Sequence, residues 1–375
     1  CHNVGVGFES LKNTATANYN TAVGACSLYA NTTGASLVAV GYNALKSSTC
    51  ANCSTAVGHQ ALMDQTTGSG NTAVGQAAGE NVTTGVANVI LGVKAFCTAT
   101  TGNYNTALGY QAQRQTTTGN CNVAIGYNSL LLNTTGCNNT SIGLAALFNN
   151  TTANYNTAIG TCAAYANTTG SGNTTVGYQS QMSTTTGNHN VSIGGGALRA
   201  HTSGSSNTAS GVYALHCNTT GSCNTASGHY ALRANTTGNY STAVGGKALT
   251  ANTTGNNQAF GTFALQKNTT GTLNNGFGYA ALEENLTGDN NTAMGHAALN
   301  KNTSGCLNVS IGYQALCGNT TGCNNIAIGN QAGTSNTTAS NQTWIGNSST
   351  TNTTIYGTIS APDGTFGAIM ENNVA

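Results

Sequence analysis

Short apolar stretches and polar turns alternate along this chain at a constant interval. An aliphatic residue followed by glycine places that glycine at Gly7, Gly24, Gly41, Gly58, Gly75, Gly92, Gly109 and Gly126. The series continues through Gly143, Gly160, Gly177, Gly194, Gly211, Gly228 and Gly245 in steps of 17 residues. One step of 16 reaches Gly261, and the interval of 17 resumes at Gly278, Gly295, Gly312, Gly329 and Gly346. The residue before the glycine is nearly always aliphatic (Val23, Val40, Ile125, Ile193, Ile328), and the one two places earlier is Thr, Val or Ile (Thr21, Val123, Val309). A small residue sits between them. Period-two alternation predicts a strand, with a wide apolar face and a face that admits only small groups. Four residues past the glycine, Ala-Leu recurs at Leu45, Leu62, Leu147, Leu232 and Leu316, which predicts a second short strand. Asn-Thr-Thr-Gly then turns the chain, Asn and Gly being suited to positive φ.

A unit this short cannot fold alone, but it can form one coil of a solenoid whose equivalent strands pair in parallel from coil to coil. The expectation is therefore an all-β protein, a parallel β-solenoid (β-roll) of about 21 coils of 17 residues spanning residues 1–346. Residues 347–375 lack the period and form a separate C-terminal segment, a linker or a trimer-closing tail. At about 4.8 Å per coil the rod is roughly 100 Å long. Asn31, Asn133, Asn167, Asn235, Asn252 and Asn268 recur in one slot and are expected to stack as an amide ladder. The residue missing before Gly261 falls between Gly255 and Ala259, in a turn. Leucine-rich repeats are excluded, since their units run to about 20–29 residues.

Composition narrows the reading. Charged residues make up 5% of 375, and the net charge is +1, so no basic surface exists to attract nucleic acid. No apolar run reaches the roughly 20 residues of a membrane helix, so no membrane insertion is expected. Helix is disfavoured by abundant Gly, Asn and Thr. Disorder is disfavoured by low charge and a steady supply of Ala, Val and Leu. Each coil offers only about one Leu, one Val or Ile and two alanines to a core. That is thin cover for a backbone whose ordering costs roughly 1–2 kcal/mol per residue. Self-association is expected, as a homotrimeric fibre whose small-residue faces let neighbouring chains approach closely.

At Asn122-Val-Ala-Ile-Gly126, Asn190-Val-Ser-Ile-Gly194 and Asn325-Ile-Ala-Ile-Gly329 the sequence resembles the head repeats of trimeric autotransporter adhesins. The full unit, as at residues 228–245, is similar to repeats in tail-fibre-like proteins of phages and large viruses. Such repeats often precede a self-cleaving chaperone of the endosialidase type, and residues 347–360 look like the segment that joins shaft to chaperone. The resemblance covers residues 1–360. It implies a trimeric left-handed parallel β-roll for surface attachment, with the chaperone removed after Ala375. The unit of 17 is longer than the adhesin repeat.

Catalytic chemistry finds no support in the sequence. The histidines are scattered, and His59, His229 and His296 share the slot after the glycine with Tyr42, Tyr110, Tyr127, Tyr178, Tyr279 and Tyr313, which reads as an aromatic surface row. Glu283 and Glu284 are adjacent, so on a strand they would point to opposite faces. Phosphate loops, nucleophile elbows and zinc-helix motifs are absent, and no enzyme activity, metal or other cofactor is expected. Of thirteen cysteines, Cys50 and Cys53 form a Cys-x-x-Cys with no second pair at metal spacing. Cys306 and Cys323 share a slot one coil apart, inside disulfide range, and Cys217 and Cys223 flank one turn. The other reading makes every cysteine a small substitute for Ala, Ser or Asn. Cys1 lies in an ordinary mid-repeat phase, so the repeat is expected to continue upstream. Asn-x-Thr/Ser acceptor sites at Asn31, Asn133, Asn167, Asn218, Asn235, Asn252, Asn268 and Asn319 are expected in exposed turns, open to glycans in a secretory host. Asn81, Asn285, Asn302 and Asn336 carry the same triplet. The other reading makes these asparagines turn residues and nothing more.

Three functions fit. The first is a structural fibre or adhesin shaft, extracellular, on a virion or cell surface, whose neutral exterior also meets host glycans in many weak copies. The second is the subunit of an extracellular filament or matrix that polymerises end to end. The third is an ice- or glycan-surface binder, which needs outward Thr-x-Thr on a strand.

Overall fold

A computed structural model describes residues 2–350 and Thr353; of the expected C-terminal segment, the remainder lies outside the described residues. The described chain is a parallel β-solenoid with no helix. Each coil contributes one three-residue strand, from β1 (Val4–Val6) and β2 (Thr21–Val23) to β21 (Thr343–Ile345). Every strand pairs in parallel with its counterpart in the next coil, as in Val4↔Thr21 and Val123↔Thr140. The 16-residue step is absorbed in the turn between Asn252 and Asn257, beginning before the Gly255–Ala259 stretch to which the sequence assigned it. By β15 (Thr242–Val244) and β16 (Gln258–Phe260) the register is restored, Thr242↔Gln258 and Val244↔Phe260.

The strand is turned the other way from the sequence expectation. Its small middle residue points inward and is fully buried, as at Ala22, Ala56, Ala124, Ala243 and Ala327. The aliphatic residue before the glycine faces out, Ile193 at 45% and Ile328 at 42% exposure. The interior is narrow because leucine fills it from the opposite wall, so only a small group fits in the strand's inward slot. Close approach of chains through a small-residue face is thereby ruled out: that face is already covered within each coil.

The Ala-Leu segment is a turn, and the second strand is absent. Ala44 and Leu45, Ala231 and Leu232, and Ala298 and Leu299 are adjacent and all fully buried. A strand would send neighbours to opposite sides. Here the leucine adopts the left-handed region (φ 51° at Leu45 and Leu232), which swings both side chains to the core. Left-handed backbone costs an L-residue roughly 1–2 kcal/mol, and burying a leucine returns about as much or more.

The repeat glycine makes the corner after each strand. At Gly126 φ is +133°, and an added Cβ would lie 2.6 Å from the Gly143 carbonyl oxygen of the next coil. Backbone of that shape is open to glycine almost alone, which is why this position never varies across the repeats.

Core volume is conserved between coils rather than within them. Where the leucine slot holds Gly79, the alanine slot of the next strand holds Ile90, whose Cδ1 would be 2.7 Å from a Cβ on Gly79. Where it holds Gly333, the next strand carries Trp344, 2.9 Å from the corresponding point. The core divides into two clusters, the first ending at Ala164 and the second beginning at Ala197. Between them Thr175, Ser180, Gln181, Thr184 and Ser192 are buried, with a close Ser180–Ser192 hydroxyl pair and Gln181 Nε2 left unpaired.

Candidate functional site

The asparagines seven places past the glycine stack as predicted, except Asn31, whose neighbours in the column are Thr14 and Ser48. Asn167 Nδ2 donates to Asn150 Oδ1 at 3.0 Å and to the Gly170 carbonyl at 2.9 Å. Asn235 does the same to Asn218 (2.9 Å), Asn268 to Asn252 (2.8 Å) and Asn319 to Asn302 (2.9 Å). Asn31 and Asn133 donate to Gly34 and Gly136 in their own turns at 3.1 and 3.0 Å.

Burial corrects the glycan expectation. Asn31, Asn133, Asn218, Asn235, Asn252, Asn268 and Asn319 are fully buried and Asn167 is 1% exposed. Their amide nitrogens face the rod's interior, where no glycan fits, so in the folded coil they are ladder residues. Asn285, Asn302 and Asn336 belong to the same column, whereas Asn81 stands one place earlier and Val82 takes the buried slot. Acceptor triplets with exposed asparagine lie elsewhere, at Asn52, Asn138, Asn239, Asn290 and Asn341.

A second amide column went unread in the sequence. Asn88, Asn105 and Asn122 directly precede their strands. Each Oδ1 accepts the next asparagine's backbone N–H (2.8 Å for Asn105 onto Asn88), and each Nδ2 donates to a turn carbonyl (2.9 Å for Asn105 onto Gly119). The Asn before Thr-Ala-Val in most units was the signal. A hydroxyl column runs beside the first ladder: Thr83 Oγ1 donates to Thr100 O at 3.0 Å and Thr117 Oγ1 to Thr134 O at 3.0 Å.

His201 replaces asparagine in the first column. Its Nε2 meets the Gly204 carbonyl at 2.7 Å and its Nδ1 faces Asn218 Nδ2 at 3.0 Å. An amide N–H can only donate, so Nδ1 accepts, Nε2 carries the proton, and the ring is neutral. Burial holds its pKa below the ordinary histidine value, outweighing the two hydrogen bonds that raise it.

The twelve described cysteines are free thiols, which corrects the expected pairings Cys306–Cys323 and Cys217–Cys223. Cys306 and Cys323 do share a slot, but the Cys306 backbone N–H donates to Cys323 Sγ at 3.1 Å. In other coils the acceptor there is an oxygen, as when Val86 N–H meets Asn103 Oδ1 at 2.9 Å. Sulfur stands in for an asparagine or serine oxygen.

The exterior carries three ordered features. The apolar residues that precede the corner glycines form a ridge along the sheet, exposed at Ile159, Ile193, Val244, Phe260, Met294 and Ile311, half-buried at positions such as Val57 and Ile125, and interrupted by Ser210 and Ser227. The aromatic row predicted after the glycine is present in segments: Tyr42 stacks on His59 (5.4 Å), Tyr110 on Tyr127 (5.2 Å), and His296 between Tyr279 (5.1 Å) and Tyr313 (5.3 Å). Charge is the third feature, because no Asp or Glu occurs between Glu80 and Glu283. Among the described residues the ion pairs are Lys12–Glu9 and Lys267–Glu284, both exposed. Among them, too, no three His, Cys, Asp or Glu side chains converge as a metal site, and no helix is long and apolar enough to cross a membrane.

These features define a β-solenoid repeat protein. No known protein family, curated protein or solved structure matches the chain.

Proposed function

We propose that this chain is the shaft of an extracellular attachment fibre, on a virion or cell surface, built from copies that associate along the strand face. The observation that carries the reading is the aliphatic ridge, exposed on a sheet that runs the length of the described rod. Monomeric proteins rarely leave apolar patches above a few hundred Å² in water. Summed over its apolar positions, the ridge amounts to on the order of 1,000 Å² per copy, comparable with the about 800 Å² that each partner contributes to a standard interface. The ridge is one residue wide, and three copies about a common axis bring three ridges together and cover all of them. Parallel, in-register copies set each coil beside its equivalents. The similarity of the repeat to adhesin and tail-fibre repeats supports the same reading.

The surface favours a fibre over an ice binder. The outward strand pair is Thr-x-Val or Thr-x-Ile, as in Thr55–Val57 and Thr157–Ile159. The turn threonines spend their hydroxyls on the next coil's carbonyl.

Sedimentation equilibrium together with cryo-electron microscopy tests the proposal. Three parallel chains in wild type, reverting to single rods in an Ile159→Glu/Ile193→Glu/Ile311→Glu variant with unchanged circular dichroism, is the expected outcome. A monodisperse monomer at micromolar concentration refutes it, as does end-to-end stacking with the ridge bare.

A further inference from the structure

Outside the ridge, charge, aromatic surface and a cavity coincide at one place among the described residues. Arg199, His216 and Arg233 occupy the same slot in three consecutive coils, so they form a column at about 4.8 Å per step. With Tyr213 and Tyr230 they line a surface cavity of about 300 Å³. The two tyrosine rings stack at 5.5 Å, nearly parallel, and the Arg233 guanidinium lies 5.2 Å over Tyr230. The His216 ring stands edge-on to Tyr213 at 5.1 Å.

The column is uncompensated. The nearest carboxylate along it, Glu283, lies three coils from Arg233, roughly 14 Å at strand spacing and beyond the ~10 Å screening length at 0.1 M salt. Toward the N-terminus the nearest is Glu80, seven coils from Arg199. Lys247, one coil past Tyr230 in the tyrosine slot, adds a further positive charge. His216 registers the same field, its pKa pushed down first by burial and then by the two guanidiniums. In a chain with 5% charged residues, two arginines set two coils apart without a counterion are more than solubility requires.

We propose that this cavity binds a sulfated sugar. A guanidinium offers paired N–H donors matched to a tetrahedral oxyanion. Two such forks about 10 Å apart, on either side of His216, suit sulfates on successive rings of a short oligosaccharide. The stacked tyrosines give a flat apolar surface for a pyranose face. The volume stands at the small end of ligand sites, about the size of one sugar unit. The site is built within three coils of one chain and is independent of the assembly proposed above.

Isothermal titration of the full chain with a heparin-derived disaccharide, its desulfated counterpart and inorganic sulfate tests this. The sulfated disaccharide should bind at least tenfold more tightly than either of the others, and its affinity should fall as salt is raised. Arg199→Gln/Arg233→Gln should lose at least tenfold, with Arg114→Gln unchanged as the charge-matched control on an intact fold. Tyr230→Ala should weaken the disaccharide and leave inorganic sulfate alone. Equal binding of inorganic sulfate would reduce the cavity to a simple ion site and overturn the proposal. So would equal binding of the desulfated sugar, no binding by wild type, or salt-independent affinity.

Discussion

Gly79 and Ile90 should behave as a single packing decision written across two coils. Replacing Ile90 by Ala alone removes three buried carbons beside a glycine that cannot fill the space, at a cost of about 2–4 kcal/mol. Replacing Gly79 by Leu alone drives a side chain into the Ile90 methyl, since even a Cβ would sit 2.7 Å from Cδ1. Overpacking of that kind costs about 1–3 kcal/mol or more. The Gly79→Leu/Ile90→Ala double variant restores the arrangement of Leu45 and Ala56, both fully buried in neighbouring coils. Gly79 already has φ +62°, close to the +51° of Leu45, so leucine enters without a new backbone penalty. The double variant should therefore unfold within about 1 kcal/mol of wild type, with a coupling energy of at least about 2 kcal/mol. Urea denaturation gives the cycle. Because solenoids can open locally, hydrogen exchange of the amides between Val82 and Ala95 gives a second readout. Additive effects in the double variant would show that volume is not traded between coils and would refute the reasoning.

Three further outcomes follow from the same structure. His201→Asn should keep neutral-pH stability and flatten its acid dependence. A lowered native pKa means the unfolded chain binds a proton first, so wild-type stability should decline as pH falls below about 6.5, by at most about 1.4 kcal/mol per pH unit until the native ring also protonates. A variant that declines like wild type between pH 7 and 5 would refute this. Thr175→Ala/Ser180→Ala/Gln181→Leu should join the two core clusters and raise stability by about 1–3 kcal/mol, because it removes an unpaired buried amide together with the Thr175 hydroxyl that donates to the same side chain; a lower urea midpoint would count against it. Gly126→Ala should cost about 3 kcal/mol or more, whereas Gly119→Ala, in a slot that already holds Ala17, Ala51 and Ala153, should cost visibly less. Equal losses in thermal melts would remove the corner from the explanation.

Repeat length, solenoid class, coil number and the first amide ladder were legible in the residues, because they depend only on which types recur at interval 17. The 16-residue step could be assigned to a turn, since a turn absorbs a deletion that a paired strand cannot, but its place within the turn was decided by how the coils stack. The direction of the strand was not legible. Thr-Ala-Val reads equally well with either face inward, and only the width of the interior, fixed by leucines arriving from the opposite wall, sends alanine in and valine out. The left-handed leucines were hidden for a related reason: adjacent Ala-Leu suits a strand until both side chains must reach one core. The candidate sites divide the same way. Asparagine in most turns suggested exposed acceptors, but parallel stacking sets most of these amides against an amide in an adjacent coil, and that pairing draws the column into the interior. Arg199, His216 and Arg233 are 17 residues apart in sequence and look unrelated there. The sequence determined the period and hence the fold; the stacking of coils decided which residues face water, which face one another, and where positive charge gathers.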